Sequence, residues 1–231
     1  FVRDERSAAS LRAKGLSNVV SHGNVMMDQV VTPEVDLSPL RDSRPLLVLL
    51  PGSRGDYPFS LPKVLETTSR LNDFQIFAAF SGDLNRVSLP AGWTWAEPST
   101  LERSLSAEKV AVNGEARVVI LKRAFVAALH HASVVLGTAG TANEQAAGLG
   151  IPVVSFPTPG PQFTELFAKA QKRLLGDTVI LEQAEPTRLA STVRQVNENK
   201  TLREAVARAV LERIGQSGAA RKIGRDIAER F

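Results

Sequence analysis

Two glycine-containing segments hold the side chains best suited to binding an anionic ligand. Residues 49–56 read LLPGSRGD, so an apolar run ends and Gly52, Ser53 and Arg54 follow with backbone N–H groups, a hydroxyl and a guanidinium. Glycine lets a ligand approach the backbone closely, and arginine donates paired hydrogen bonds to phosphate oxygens. The segment therefore suits a diphosphate. An ordinary strand-to-helix turn that carries an arginine gives the same pattern.

The second segment reads GTAGTANE over residues 137–144 and places a lone carboxylate after a turn of small residues. It lacks both the G-x-G-x-x-G spacing of dinucleotide-binding turns and the Gly-Lys-Ser/Thr of a P-loop. Thr141 and Glu144 fit a helix capping box. A carboxylate at the start of that helix can instead accept hydrogen bonds from the two vicinal hydroxyls of a ribose. Both interpretations of Glu144 remain open.

Two other pairs of side chains are candidate ligands. Gln162 and Phe163 follow a turn at residues 158–161, where the amide of Gln162 either contacts sugar hydroxyls or opens a helix. His130 and His131 are adjacent, and adjacent side chains on a helix diverge, so a shared metal ion is not expected. The chain has no cysteine, which excludes disulfides and thiolate metal sites. We therefore expect no metal and no cofactor.

The composition of the 231 residues is that of a globular protein, with 43% apolar and 23% charged residues. No apolar run approaches the roughly 18 residues that a membrane-spanning helix needs. A net charge of +4 suits phosphate groups or an acidic membrane surface, and two Trp and one Tyr are few for stacking bases. We expect a cytoplasmic protein without a nucleic-acid partner, with peripheral contact to the inner face of the cytoplasmic membrane as a further option.

From Pro45 onward, apolar runs alternate with helical patterns, which is typical of a parallel sheet with crossover helices. Most runs are continuously apolar, as expected for strands covered on both faces. The predicted strands are residues 46–50, 74–80, 117–121, 134–136, 152–156 and 178–181. The predicted helices are residues 61–71, 125–131, 142–149, 162–174 and 187–197. Right-handed crossovers then predict a doubly wound, Rossmann-like α/β fold.

One insertion interrupts the alternation. Residues 108–120 contain an Asn-Gly pair between alternating residues, which predicts a β-hairpin whose second arm joins the sheet. Apolar side chains recur at every third or fourth position over residues 202–214, which predicts a helix packed on the core. Gly215 and Gly218 interrupt this pattern before a basic helix at residues 219–230. That helix docks on another domain, forms a solvated charged face or contacts anionic lipid.

The chain is predicted to divide into four segments. Residues 1–31 carry a helical pattern at 7–14 and a short strand at 18–20. Residues 32–44 hold two prolines and no periodicity, which indicates a linker. The α/β domain then covers residues 45–215, and a C-terminal helix covers residues 216–231.

Three motifs carry a resemblance to a known family. PGSR at residues 51–54, GTAGTANEQ at 137–145 and GLGIPVV at 148–154 together resemble the nucleotide-binding half of a two-domain glycosyltransferase of the GT-B fold. The likeness is to lipid-A-disaccharide synthase and its related proteins, and it extends over nearly the whole chain. UDP-sugar 2-epimerases share this fold and a similar ribose-binding carboxylate. An epimerase and a non-catalytic nucleotide-sugar-binding module therefore remain alternatives.

The resemblance implies a role for each candidate residue. The loop at residues 52–54 would hold the phosphates of UDP, residues 137–141 would surround the diphosphate, and Glu144 would bind the ribose. The corner at residues 123–125 would meet the uracil through its backbone. The implied nucleotide-binding residues are Gly52, Ser53, Arg54, Phe125, Gly137, Thr138, Gly140, Thr141 and Glu144, and the implied donor-sugar residues are Gln162 and Phe163.

The resemblance also implies partners and an activity. A UDP-sugar would be the donor, and a lipid-linked or glycolipid molecule would be the acceptor of a hexosyl transfer. Residues 1–31 would be the remnant of an N-terminal acceptor domain, onto which the last helix docks. The catalytic base would belong to that domain, so the chain alone is expected to bind a UDP-sugar without turnover.

Overall fold

Strands at the centre of the sheet are continuously apolar because helices cover both of its faces. A computed structural model describes residues 1–214 and 217–230. The strands, in chain order, are β1 Leu46–Leu50, β2 Gln75–Ala79, β3 Thr94–Ala96, β4 Ala107–Asn113, β5 Ala116–Leu121, β6 Val134–Gly137, β7 Val153–Ser155 and β8 Val179–Leu181. All five residues of β1 are buried.

Alternate residues of β1 enter two separate hydrophobic clusters, because successive side chains of a strand point to opposite faces. The helices, in chain order, are α1 Glu5–Arg12, α2 Tyr57–Thr68, α3 Thr100–Ser104, α4 Phe125–His131, α5 Thr141–Gly148, α6 Glu165–Leu175, α7 Pro186–Glu198, α8 Lys200–Arg213 and α9 Ala219–Arg230. Leu47 and Leu49 pack with α2 and α7, whereas Leu46, Val48 and Leu50 pack with α4 and α5. The sheet therefore lies between two helical layers.

The topology of the sheet fixes where a ligand site can form. The strand order is β3-β4-β5-β2-β1-β6-β7-β8, and all pairs from β5 to β8 are parallel. The chain runs outward from β1 through β2 to β5 and then returns to β6 on the other side of β1. Ligands of such sheets bind at this reversal, beyond the carboxyl ends of the strands. The predicted doubly wound α/β fold is confirmed.

The inserted hairpin is also confirmed, because β4 and β5 pair antiparallel around Gly114 and β5 joins β2 in the parallel sheet. Two further elements were not predicted: β3, which adds an antiparallel edge strand next to β4, and the short helix α3. The strand β3 has three residues with no clear alternation, so its sequence carries little signal.

Several predicted element boundaries are wrong. No strand forms at residues 18–20, and the neighbouring Ser21 makes only an isolated bridge with Val2. The helix α2 begins at Tyr57 instead of residue 61, because Pro58 lies in the first turn, where its missing N–H costs no hydrogen bond. The predicted junction at Gly215 and Gln216 and the final Phe231 lie outside the described residues.

The helix α9 packs against residues that precede the sheet. The Asp28 carboxylate accepts hydrogen bonds from the backbone N–H of Gly218 and, at 2.8 Å, from that of Ala220. His22 Nε2 lies 2.9 Å from Asp226 Oδ2. The hydrogen bond from the Ala220 N–H is the largest of the contributions that hold the pKa of Asp28 below its usual range. Asp28 therefore acts as the N-terminal cap of α9.

Asp28→Ala is expected to lower the free energy of unfolding by about 1 kcal/mol at neutral pH, the usual cost of losing a helix cap. Because the pKa of Asp28 is lower in the folded state, this contribution is present above the unfolded pKa of about 3.9. It is lost as the pH falls through the lower folded pKa. Urea unfolding of wild type and variant along a descending pH series measures the difference. A difference that is absent at neutral pH, or that grows in acid, contradicts the cap.

Within residues 1–214 and 217–230, every helix falls short of the length and apolar character that a membrane span requires.

Candidate functional site

A cavity of about 750 Å³ opens at the carboxyl ends of β1, β2, β5 and β6. Among the segments that line it are the loops after two central strands: the β1 loop, residues 51–56, and the β6 loop, residues 138–140. The cavity is lined by all but one of the predicted site residues, namely Gly52, Ser53, Arg54, Phe125, Thr138, Gly140, Thr141, Glu144, Gln162 and Phe163. Arg54 and Glu144 thus border the same cavity.

Gly137 is the predicted residue that does not line the cavity. Its carbonyl accepts hydrogen bonds from Asn143 Nδ2 at 3.1 Å and Ser155 Oγ at 2.6 Å. A Cβ atom at this position would lie 2.2 Å from Asn143 Oδ1. Glycine is needed at residue 137 because the helix α5 packs directly against the end of β6.

The β1 loop presents a cation to the cavity. Gly52 has φ 78°, a backbone conformation that glycine adopts without strain. The hydroxyl of Ser60 donates a 2.7 Å hydrogen bond to the carbonyl of Pro51 and fixes the start of the loop. Arg54 is exposed, and within the described chain it has no hydrogen-bond or ion-pair partner. Its guanidinium is therefore available to an anion.

Two buried amides orient the β6 loop. Gln171 Nε2 donates to the carbonyls of Ala139, at 3.3 Å, and Gly140, at 3.0 Å. Asn143 Nδ2 in turn donates to Gln171 Oε1 at 3.1 Å. In a trans peptide the N–H points opposite to the carbonyl, so the N–H groups of Gly140 and Thr141 point away from the buried Gln171. These N–H groups belong to residues that line the cavity.

Within the described chain, no side chain caps the N-terminus of α5, and the nearby hydroxyl of Thr138 has no hydrogen-bond partner. The N-cap residue is Gly140, which has no side chain to cap the helix, and the first N–H groups of any helix have no partner within it. Thr138 is 2% exposed, and its Oγ1 atom is buried without a hydrogen-bond partner in the described chain. A buried hydroxyl without a partner costs free energy unless a ligand supplies one.

The capping-box interpretation of Glu144 is wrong, because the helix begins one residue earlier than a Thr141 cap requires. Glu144 instead accepts a 3.2 Å hydrogen bond from Arg3 Nη1. Arg3 Nε also contacts Asp4 Oδ2 at 3.0 Å. Burial alone raises the pKa of Asp4, but the hydrogen bonds from Ser7 and the charge of Arg3 together hold that pKa below its usual range. The N-terminal segment thus reaches the carboxylate of the cavity.

The corner between β5 and α4 forms another wall. Arg123 lines the cavity with φ 60°, a conformation that a non-glycine residue adopts only with strain. The following helix start is already occupied, because Glu34 accepts hydrogen bonds from the N–H groups of Val126, at 3.2 Å, and Ala127, at 3.0 Å. The N-terminus of α5 is therefore open to an external anion, whereas that of α4 is not.

Sequence reasoning missed several residues that shape the site. Asp56, which lines the cavity at 4% exposure, ends the LLPGSRGD segment, but its sequence position gave it no role. Asn143 and Gln171 carry no local signal, since their partners lie in other elements. His130, by contrast, is an ordinary structural residue, because its Nε2 lies 2.9 Å from the carbonyl of Val30. Among the described residues no three His, Asp or Glu side chains form a possible metal site.

No protein-family model and no curated protein matches the chain by sequence. Solved structures do match its fold. UDP-N-acetylglucosamine 2-epimerase from Neisseria meningitidis, bound to UDP-N-acetylglucosamine, superposes with a TM-score of 0.60 at 15% identity over 99% of this chain and 61% of its own. The calicheamicin glycosyltransferase CalG4 gives 0.56 at 18% identity over 94% and 48%. The glycosyltransferase SnogD from Streptomyces nogalater gives 0.52 at 15% identity over 96% and 62%.

These comparisons show the fold that glycosyltransferases and UDP-N-acetylglucosamine 2-epimerases share. The chain spans 48% to 62% of the length of the three matched structures. None of these three structures is a lipid-A-disaccharide synthase.

Proposed function

We propose that this chain is the nucleotide-sugar-binding half of a GT-B glycosyltransferase and that its cavity holds a UDP-sugar. The observation that carries the proposal is the buried hydroxyl of Thr138, which has no partner in the described chain and lies beside the open N-terminus of α5. A phosphate oxygen placed there would satisfy the hydroxyl and the first N–H groups of α5 together, and anions are favoured at helix N-termini.

The remaining groups divide the proposed ligand into parts. Arg54 would contact the diphosphate from the β1 loop, and Glu144 would accept hydrogen bonds from the ribose hydroxyls. The backbone of residues 123–125 would meet the uracil. Gln162 and Phe163 would lie at the sugar. During transfer, negative charge grows on the departing UDP, and a guanidinium together with oriented backbone N–H groups stabilises such charge.

Thr138→Val tests whether the hydroxyl of Thr138 binds the ligand, because it removes the hydroxyl and keeps the shape of the side chain. We expect UDP affinity to fall about tenfold, the effect of one lost hydrogen bond. The free energy of unfolding should stay equal or rise, since an unpaired buried hydroxyl is removed. Calorimetric titration with UDP and urea unfolding measure the two effects. Unchanged affinity would remove the main support for the proposed site.

A lipid-A-disaccharide-synthase-like transfer to a lipid-linked acceptor is the specific reaction that we propose, on the strength of the sequence motifs. Residues 1–31 would then belong to the acceptor domain, which would also supply the catalytic base, and this chain alone would bind the donor without turnover. The likeness to the epimerase structures favours UDP-sugar 2-epimerisation as a second candidate. Product analysis of the intact protein separates the two, because an epimerase converts a UDP-sugar without an acceptor.

A further inference from the structure

Asp56 is a buried carboxylate whose hydrogen bonds join two loops of the cavity. Its Oδ1 atom accepts from the N–H of Gln162 and from Thr158 Oγ1, both at 3.1 Å. Its Oδ2 atom accepts from the N–H of Phe163 at 3.0 Å. Within the described chain Asp56 forms no ion pair, so these three donors compensate its charge. Hydrogen bonds to a charged acceptor are the stronger kind.

The second loop follows β7 and covers residues 156–164, which we call the β7 loop. The N–H of Thr158 donates a 2.8 Å hydrogen bond to the carbonyl of Phe163, so this part of the loop closes on itself. The N–H of Gly160 donates to Thr158 Oγ1 at 3.2 Å. The ring of Phe163 packs 5.3 Å from that of Phe167, measured between centroids. The loop therefore has its own internal order.

Glycines allow the two loops to meet at backbone distance. A Cβ atom on Gly160 would lie 2.0 Å from Asp56 Oδ1 and 3.0 Å from Asp56 Cα. A Cβ atom on Gly55 would lie 2.9 Å from Pro161 Cγ. Neither site has room for a side chain unless the loops separate. The position of the β7 loop relative to the β1 loop is thus set by this contact and by the three hydrogen bonds of Asp56.

We propose that Asp56 is a positioning residue for the sugar end of the bound donor, an inference that rests on the proposed function. The β1 loop carries Arg54, the proposed diphosphate contact, and the β7 loop carries the exposed Gln162. By joining the loops, Asp56 fixes the distance between the diphosphate contact and the sugar contact. In this role it affects recognition of the sugar through the position of the β7 loop.

The test compares affinities for UDP, UDP-N-acetylglucosamine and UDP-glucose by calorimetry. In wild type we expect one of the two UDP-sugars to bind about tenfold more tightly than UDP, as one or two added hydrogen bonds provide. Asp56→Asn keeps the shape of the side chain but presents an amide, in place of a carboxylate, to two N–H donors. In this variant the tighter binding of the UDP-sugar relative to UDP should vanish, while UDP affinity changes less than about threefold, within RT ln 3. Thr158→Val removes one of the three hydrogen bonds and should lose part of this difference in affinity. Asp42→Asn is the control, since Asp42 lies before β1 at the opposite edge of the sheet.

Hydrogen exchange provides a readout that needs no ligand. The amides of Gln162 and Phe163 should exchange faster in Asp56→Asn, whereas those of the β6 loop should not change. An equal loss of affinity for UDP and the UDP-sugars in Asp56→Asn and Thr158→Val overturns the inference, as does an unchanged preference. A wild-type chain that binds UDP but prefers neither sugar overturns this inference alone. A wild-type chain that binds none of the three compounds overturns the proposed function.

Discussion

Glu144→Ala is expected to weaken UDP binding by about 10- to 100-fold. A carboxylate that accepts two hydrogen bonds from vicinal hydroxyls contributes about 1.5–3 kcal/mol to the bound state, because bonds to a charged acceptor exceed neutral ones. The loss should be equally large for uridine, which carries the same ribose. Calorimetric titration of the variant with UDP and with uridine measures both values.

Arg3→Met is the matched variant for Glu144→Ala. It breaks the 3.2 Å contact between Arg3 and Glu144 but leaves the carboxylate in the cavity. The pair is partly exposed, with side-chain exposures of 28% and 20%, so each variant should lose no more than about 1 kcal/mol of folding stability. Only Glu144→Ala should lose most of its UDP affinity. If both variants bind UDP like wild type and differ from it only in stability, Glu144 is a structural residue.

Arg54→Met should weaken UDP binding by about 10- to 100-fold, because a guanidinium that pairs with a diphosphate makes charge-assisted hydrogen bonds. In contrast to Glu144→Ala, the variant should bind uridine like wild type, since uridine has no phosphate. The wild-type affinity for UDP should also fall with added salt more steeply than that of the variant. Titrations of wild type and variant with UDP and uridine at two salt concentrations measure these differences.

Arg44→Met provides the control for the loss of a positive charge. Arg44 is paired with Asp42 just before β1, at the opposite edge of the sheet from the cavity. Its replacement should leave UDP affinity unchanged. A loss shared by Arg44→Met and Arg54→Met indicates an effect of net charge, and a loss of uridine binding in Arg54→Met indicates a damaged loop. Either result contradicts a direct contact between Arg54 and the diphosphate.

The continuous apolar runs made the parallel sheet predictable. β1 was predicted with its observed limits, as was α4, because strands buried on both faces and a helix between them leave an unambiguous pattern. The start of α6 was not predictable in the same way. The N–H groups of Gln162 and Phe163 bind Asp56, more than 100 residues earlier in the chain, which keeps both residues out of the helix. Thr164 then caps α6, which begins at Glu165. Local sequence does not reveal a distant acceptor.

The cavity, too, was predictable where local sequence determines the structure and not where contacts between distant residues do. Gly52 and Gly140 predict turns, and a turn after a parallel strand lies at the carboxyl ends of the strands. The candidate residues could therefore be assigned to one site. The partners that orient them could not. Gln171 lies on α6 and Glu34 precedes the sheet, yet they hold the β6 loop and the start of α4. Such contacts depend on packing between elements, which a single sequence does not specify.

The contact between Arg3 and Glu144 makes ligand affinity a property of more than the cavity. Suppose that a ribose displaces Arg3 from the carboxylate. Thermodynamic reciprocity then requires that the docked segment lowers the affinity for the ligand by some factor, and that the bound ligand weakens docking of the segment by the same factor. A molecule that pulls residues 1–31 away from the sheet would then raise nucleotide affinity from a distance. Occupancy of the cavity would in turn be communicated to whatever this segment contacts.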